Sequence, residues 1–292
     1  MRGWLPTPST LMRGMIRGWS WLPLPVAQAF GGGLGWLLGR LPNRERRISQ
    51  ANLTRCFPER SPQWHRAQLH RSLIETGKTL GEALWLWHSS PERASHYIRE
   101  VYGRAHLEAA VRAQRGVICA TPHAGNWELA GMYCARWFSM TVMFRPPRAR
   151  WLAEPMHRGR TRLGMTPVPA DGSGVRALLR ELKQGRGVGI LPDQAPRGGD
   201  GVQAPFFGID AATMTLLPRL AQRSGVTVLM TVMERLPRGR GFRAHFWPAA
   251  PEVADPDPVR AATALNHEVE RCVALAPHQY MWNYKRFRRL KR

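Results

Sequence analysis

The sequence predicts an α/β fold with a largely parallel central sheet flanked by helices, preceded by an N-terminal helical membrane-anchoring extension. Three observations carry this expectation. Beyond about residue 100, short apolar runs alternate with amphipathic stretches, the strand–helix order that builds a parallel sheet. Before them, Leu69, Leu73, Thr76, Leu80, Leu84 and Trp87 recur at three- and four-residue steps, which marks a helical front. Ahead of both, residues 18–39 are 22 positions without a formal charge, with Arg13 and Arg17 on one side and Arg40, Arg44, Arg46 and Arg47 on the other.

As one helix, that uncharged run would reach about 33 Å, roughly a bilayer core. Two prolines, six glycines and Gln28 make it a poor spanning sequence. No small-residue cleavage site closes it, which argues against a signal peptide. With arginines on both flanks the positive-inside rule gives no through-span orientation, which favours a segment lying on the cytoplasmic face of a membrane. A helix buried within the protein is the other reading. The chain therefore divides into a membrane-associating segment, 1–47, and an α/β domain, 48–292, with a helical front and a basic C-terminal tail.

A short basic connector follows the anchor. Ser61-Pro62 then caps the front helix, and Ser90-Pro91 opens a shorter one in the same way. Strands are expected at 117–120, 141–144, near Val168, 188–191 and 226–233, with helices at 127–138, 148–163, 175–183 and 214–223. A long Gly/Pro-rich loop is expected from the strand at 188–191 to about Ala212. Asp257-Pro258 starts a last helix, and residues 285–292 form the basic tail.

Lys and Arg number 43 against 20 Asp and Glu, a formal net charge of +23. That balance implies a polyanionic partner: nucleic acid, an anionic membrane or an acidic protein. Twelve tryptophans favour the membrane. Nucleic acid is not expected, because no zinc spacing, aromatic RNA-binding signature or helix-turn-helix is present. Cys56, Cys119, Cys134 and Cys272 are scattered, so thiols in a reducing compartment are expected and a metal site is not.

The segment from Ala120 to Leu129 sets His123 just beyond a strand and Glu128 in the first turn of a helix, with Asn126 as its cap. Acyl transfer to a hydroxyl needs a base, and a neutral imidazole suits that task. A carboxylate holding its other nitrogen would steady the imidazolium, the role expected of Glu128. Gly125 permits a tight turn, and N–H groups at the helix start offer an oxyanion site. The His-x4-Glu pattern alone carries little, since His70-x4-Glu75 also matches it. On a helix, however, five residues leave that second pair about 140° apart.

His123-Ala-Gly-Asn-Trp-Glu128 resembles the core motif of the bacterial lipid A biosynthesis (late) acyltransferase family, within the lysophospholipid acyltransferase superfamily. Further stretches match in order: 52–59; Phe144-Arg-Pro with Arg158-Gly-Arg160; Pro192-Asp-Gln194 with 205–208 and Ala212-Thr213; and 279–287. The resemblance implies transfer of a fatty acyl chain, from an acyl carrier protein or coenzyme A thioester, to a hydroxyl of a phosphorylated lipid A precursor. It implies no cofactor beyond that co-substrate, and a place on the cytoplasmic face of a bacterial inner membrane. His123 and Glu128 are then the catalytic pair. Asn126, Arg145, Arg158, Arg160, Asp193 and Gln194 are the substrate-binding candidates, with Arg197 adding positive charge. Where the family loop often carries a second acid, Ala195 stands. Phe206 and Phe207 fit core or acyl-channel wall. Two alternatives stay open: an acyltransferase for another glycolipid or a lysophospholipid, and a non-catalytic basic membrane- or nucleic-acid-binding protein.

Overall fold

The computed structural model describes residues 14, 16–147, 149–196 and 201–287. Expectations for Arg13, for the helix start at Arg148, for Arg197 and for the tail from residue 288 lie outside these. After a helical stretch at residues 16–19, the described chain runs through helices α1 (Leu24–Arg40), α2 (Arg44–Cys56) and α3 (Pro62–Leu86). The basic connector is thus itself a helix: the Asn43 side chain caps it by accepting from Arg46 N–H, and Ile48, Asn52, Leu53 and Cys56 bury one side. Ser61 caps α3 in the same way, accepting from Trp64 N–H, with Pro62 at the first position.

The glycines of the uncharged run have a packing role. A Cβ at Gly35 would stand 2.2 Å from the Leu73 carbonyl oxygen, and one at Gly77 would stand 2.1 Å from that of Gly31. Helices α1 and α3 therefore touch backbone to backbone. The other side of α1 leaves Phe30, Leu34, Trp36, Leu37 and Leu38 exposed. This helix is half buried against α3 and half open. Among the described residues no helix is long and apolar enough to cross a membrane. Helix α3 is wrapped on more than the predicted stripe: Glu75 and Glu82 are buried while Leu80 is open.

Next come α4 (Pro91–Ser95), β1 (Ile98–Tyr102), α5 (Arg104–Ala113), β2 (Val117–Ala120), α6 (Trp127–Ala135), β3 (Met140–Phe144), α7 (Ala153–Arg162) and β4 (Met165–Pro169). They are followed by α8 (Gly172–Lys183), β5 (Gly187–Ile190), β6 (Gly201–Phe206), β7 (Ile209–Met214) and α9 (Leu216–Ser224). Strands β8 (Thr227–Arg235) and β9 (Phe242–Pro248) precede the last helix, α10 (Pro258–Leu275). The described residues form a seven-stranded sheet in the order β1-β9-β8-β2-β5-β3-β4. Its one antiparallel junction is β8–β9, because residues 236–241 are too few for a crossover.

Side chains alternate across the sheet. On β2, Val117 and Cys119 join Trp85, Leu107, Leu129 and Phe246 on one face. Ile118 and Ala120 join Leu178, Leu217 and Leu265 on the other. Strands β1 and β9 and helix α5 were not anticipated. The expected loop up to Ala212 contains the hairpin β6–β7. Its turn is Phe207-Gly208, both at positive φ (51° and 72°), a geometry usually announced by Asn-Gly and hidden here by a phenylalanine.

Candidate active site

The strands β8, β2 and β5 lie side by side and parallel, with Ala120 in register with both Met230 and Ile190. Their carboxyl ends consequently bring Arg235, His123 and Asp193 to one edge of the sheet, where open α/β sheets place their ligands. The loop after β2 is clamped there. Gly125 has φ +59°, and a Cβ on it would fall 1.9 Å from the Met233 carbonyl oxygen, so only glycine fits. Gly125 N–H donates to the Gln279 carbonyl at 3.1 Å and Asn126 N–H to that of Met233 at 2.9 Å. These two amides are engaged and do not serve as oxyanion donors.

Asp193, rather than Glu128, holds the other nitrogen of His123. The imidazole Nδ1 lies 2.8 Å from Asp193 Oδ1, and His123 N–H donates to Asp193 Oδ2 at 3.0 Å. The Gln194 amide nitrogen lies 3.1 Å from Nε2. This fits the tautomer in which Nδ1–H donates to the carboxylate and Nε2 accepts from Gln194. Burial alone would raise the Asp193 carboxyl, but the charge and hydrogen bonds of His123 prevail and hold it below its ordinary value. Tyr280, buried beside it, has its phenol pushed well up by burial and by the Asp193 charge. The imidazole is 15 % exposed, and it packs against the Trp127 ring at 5.0 Å.

Glu128 faces a different partner. Arg160 from α7 donates through Nε at 3.0 Å and through Nη2 at 2.5 Å, and the Trp87 indole donates at 3.2 Å. Burial opposes ionisation here as well, yet the Arg160 charge and hydrogen bonds lower the Glu128 carboxyl, with a smaller contribution from His123. Arg160 is itself 15 % exposed and bidentate on this carboxylate. It braces Glu128 and is not an open phosphate-binding group.

Behind the loop lies a largely buried ionic cluster, joined on its outer side by Lys78, whose ammonium lies 2.6 Å from Glu75 Oε1. Arg235 donates to both oxygens of Glu82, to Glu75 Oε2 at 2.6 Å and to Thr79 Oγ1 at 3.1 Å. Asn126 donates to Glu82 Oε2 at 3.0 Å, while its own side-chain oxygen caps α6 by accepting from Leu129 N–H. Asn126 therefore ties the loop to α3 and is not aimed at a substrate. Of the other candidates, Arg158 is exposed and paired with Glu154 on its own helix. Arg145 is exposed and lines a cavity of about 410 Å³ with Phe144, His157 and Asp171 at the ends of β3 and β4. Phe206 belongs to an aromatic cluster with Tyr280, Trp282 and Phe287. The sequence reading missed Glu82 and Arg235. Glu82 carried one signal, a carboxylate inside the run Leu80-Gly-Glu-Ala-Leu-Trp-Leu-Trp87. Arg235, at the end of an apolar strand, carried none.

All four cysteines are free and buried, and burial pushes the Cys56 thiol up to about 12. A carboxylate-held imidazole at the carboxyl edge of a parallel sheet, without an activated thiol, has the geometry of a general acid–base site. The comparisons with known proteins narrow that class. The chain matches the bacterial lipid A biosynthesis acyltransferase family over residues 8–289, belongs to that family, and is an O-acyltransferase. It is 32 % identical over 279 residues to the lipid A biosynthesis lauroyltransferase of Escherichia coli (strain K12), covering 91 % of this chain and 87 % of the relative. With the palmitoleoyltransferase of the same organism it shares 28 % over 282 residues, 94 % and 89 % of the two chains. A phosphatidylinositol mannoside acyltransferase of Mycobacterium tuberculosis (strain CDC 1551 / Oshkosh) is 30 % identical over 152 residues, 50 % of this chain and 48 % of that one.

Proposed function

We propose that the protein transfers a fatty acyl chain from a thioester, of acyl carrier protein or coenzyme A, to a hydroxyl of a lipid A precursor, with His123 as general base. The observation that carries this reading is the His123–Asp193 pair, which leaves Nε2 as the acceptor nitrogen of the ring. A substrate hydroxyl displaces the Gln194 amide from Nε2 and gives its proton there. The oxygen attacks the thioester carbonyl, the new C–O ester bond forms, and the C–S bond breaks. The departing thiolate recovers the proton from the imidazolium. Asp193 fixes the tautomer and balances the imidazolium charge. Glu128, held by Arg160, fixes the start of α6 beside the His123 loop. Arg145 and the cleft it lines are open to an anionic substrate group.

The exposed apolar side of α1 and the surplus of positive charge suit an enzyme seated on an anionic membrane surface, the cytoplasmic face of a bacterial inner membrane. A glycolipid acceptor of another kind is the second reading, favoured by the partial match to the mannoside acyltransferase. The test is to incubate the purified protein in detergent with a tetra-acylated lipid A precursor and a ladder of acyl thioesters, reading products by mass spectrometry. The expected product is heavier by one acyl chain. With His123→Ala the rate should fall at least the ~10²–10⁴-fold typical of a general base. Normal turnover by a well-folded His123→Ala protein would overturn the mechanism.

A further inference from the structure

Between α2 and the C-terminal segment lies a second cavity, of about 390 Å³. Arg44, Arg47 and Arg55 project into it from one side of α2, Lys285 and Phe287 form the facing wall, and Asn52 lies between them. The four basic residues are exposed. Arg44 has Glu45 at 3.4 Å, while Arg47, Arg55 and Lys285 have no ion-pair partner among the described residues. Four cations gathered in a concave site with little countercharge suit an anion supplied from outside, and guanidinium forks match phosphate oxygens.

Two further observations say which anion. First, the cavity adjoins the active site through a short chain of contacts. Asn52 Nδ2 donates to the carbonyls of Trp282 and Tyr284, both at 2.7 Å. The Tyr284 hydroxyl accepts from Ala195 N–H at 3.1 Å, next to Gln194 on His123 Nε2. Met281 N–H donates to the His123 carbonyl at 2.9 Å, so the same segment borders both sites. Second, Arg44 follows closely on the apolar ridge of α1, where Trp36, Leu37, Leu38 and Leu41 are exposed and Arg40 stacks on the Trp36 ring at 3.6 Å. Cations at the foot of an apolar ridge match a headgroup whose phosphate stays in water while its acyl chains lie on hydrocarbon.

We propose that the cleft between α2 and the C-terminal segment is the phosphate subsite for the lipid acceptor, taking a phosphate of the glycolipid headgroup through Arg44, Arg47, Arg55 and Lys285. This rests on the acceptor reading given above. A concave site of this size suits a phosphorylated sugar.

The test is equilibrium binding of the full chain in neutral detergent micelles to the phosphorylated lipid A precursor and to the same lipid after phosphatase treatment. Wild type is compared with an Arg47→Gln/Lys285→Gln variant whose melting temperature is checked, and transfer is assayed in parallel. The wild type should prefer the phosphorylated lipid, and the variant should bind it on the order of tenfold more weakly while binding the dephosphorylated lipid unchanged. Equal binding by the two proteins, or no phosphate preference in the wild type, overturns the subsite. A variant that keeps its lipid affinity but has a raised KM for acyl carrier protein overturns it too, and assigns the cleft to the carrier. Phosphate-dependent binding without any transfer would leave the subsite standing and overturn the acceptor reading instead.

Discussion

Two ionic groupings grip the same loop from opposite sides, and they differ in what their cation can do. Behind it, Arg235 joins Glu82 and Glu75 in a cluster where Arg235 and Glu82 side chains are 2 % and 0 % exposed. Burial would lower the Arg235 guanidinium, but the two carboxylates raise it, so it never releases a proton. In front, Asp193 is as deeply buried as Arg235, yet its partner is an imidazole that reaches solvent. One grouping is closed around its cation, and the other sets a partly exposed imidazole against a buried carboxylate. The loop that carries His123 is anchored by polar contacts on both sides: Asn126 to Glu82, Gly125 to Gln279 and His123 N–H to Asp193.

The sharpest way to break the rear grouping is Arg235→Leu, which leaves Glu82 and Glu75 buried without their shared cation. It should lower stability by about 3–5 kcal/mol, read as a shift in the urea midpoint. Adding Glu82→Gln and Glu75→Gln should recover part of that loss. An equal loss with and without those changes would mean that shape, and not charge, holds the cluster. A smaller effect is expected where α1 meets α3: the Cβ of Gly35→Ala would press on the Leu73 carbonyl and should cost about 1–3 kcal/mol.

The smallest effect is set by pH. The carboxyls of Glu75, Glu128 and Asp193 are all lowered in the folded protein, in each case because neighbouring positive charge outweighs burial. Carboxylates of this kind add stability that is complete above their unfolded values, about 4, and is lost as pH falls through the lower folded values. Thermal midpoints should therefore hold down to about pH 5 and drop at more acid pH. Glu128→Gln should make that acid limb shallower, and an unchanged limb would show that the Arg160 pair contributes nothing to it.

How much of this could be read beforehand follows from sequence distance. The strands β2 and β5, the helix α6 and the position of His123 at a strand end were legible, because each rests on a local pattern of a few residues. So was the presence of Asp193 and Gln194 at another strand end. The partner of His123 was not, since β2 and β5 become neighbours only through the order of the sheet. Five residues separate His123 from Glu128, and that nearness suggested a bond which Arg160 claims instead. Arg160 was read as a substrate-binding residue, because an arginine on an amphipathic helix gives no hint of a buried carboxylate 32 residues earlier. The glycines of α1 were visible, but their meaning depended on Gly77 and Leu73 of α3, which no local pattern links to them.

The central claim is that Asp193 orients the base, and the most direct measurement is the kcat for acyl transfer of Asp193→Asn set beside that of Glu128→Gln, with folding of both confirmed by circular dichroism. The asparagine can accept from His123 N–H but cannot balance the imidazolium, so kcat should fall by about 10²–10⁴ with little change in KM for either substrate. An Asp193→Asn protein that turns over like the wild type, while Glu128→Gln is inactive, would contradict the account and return the orienting role to Glu128.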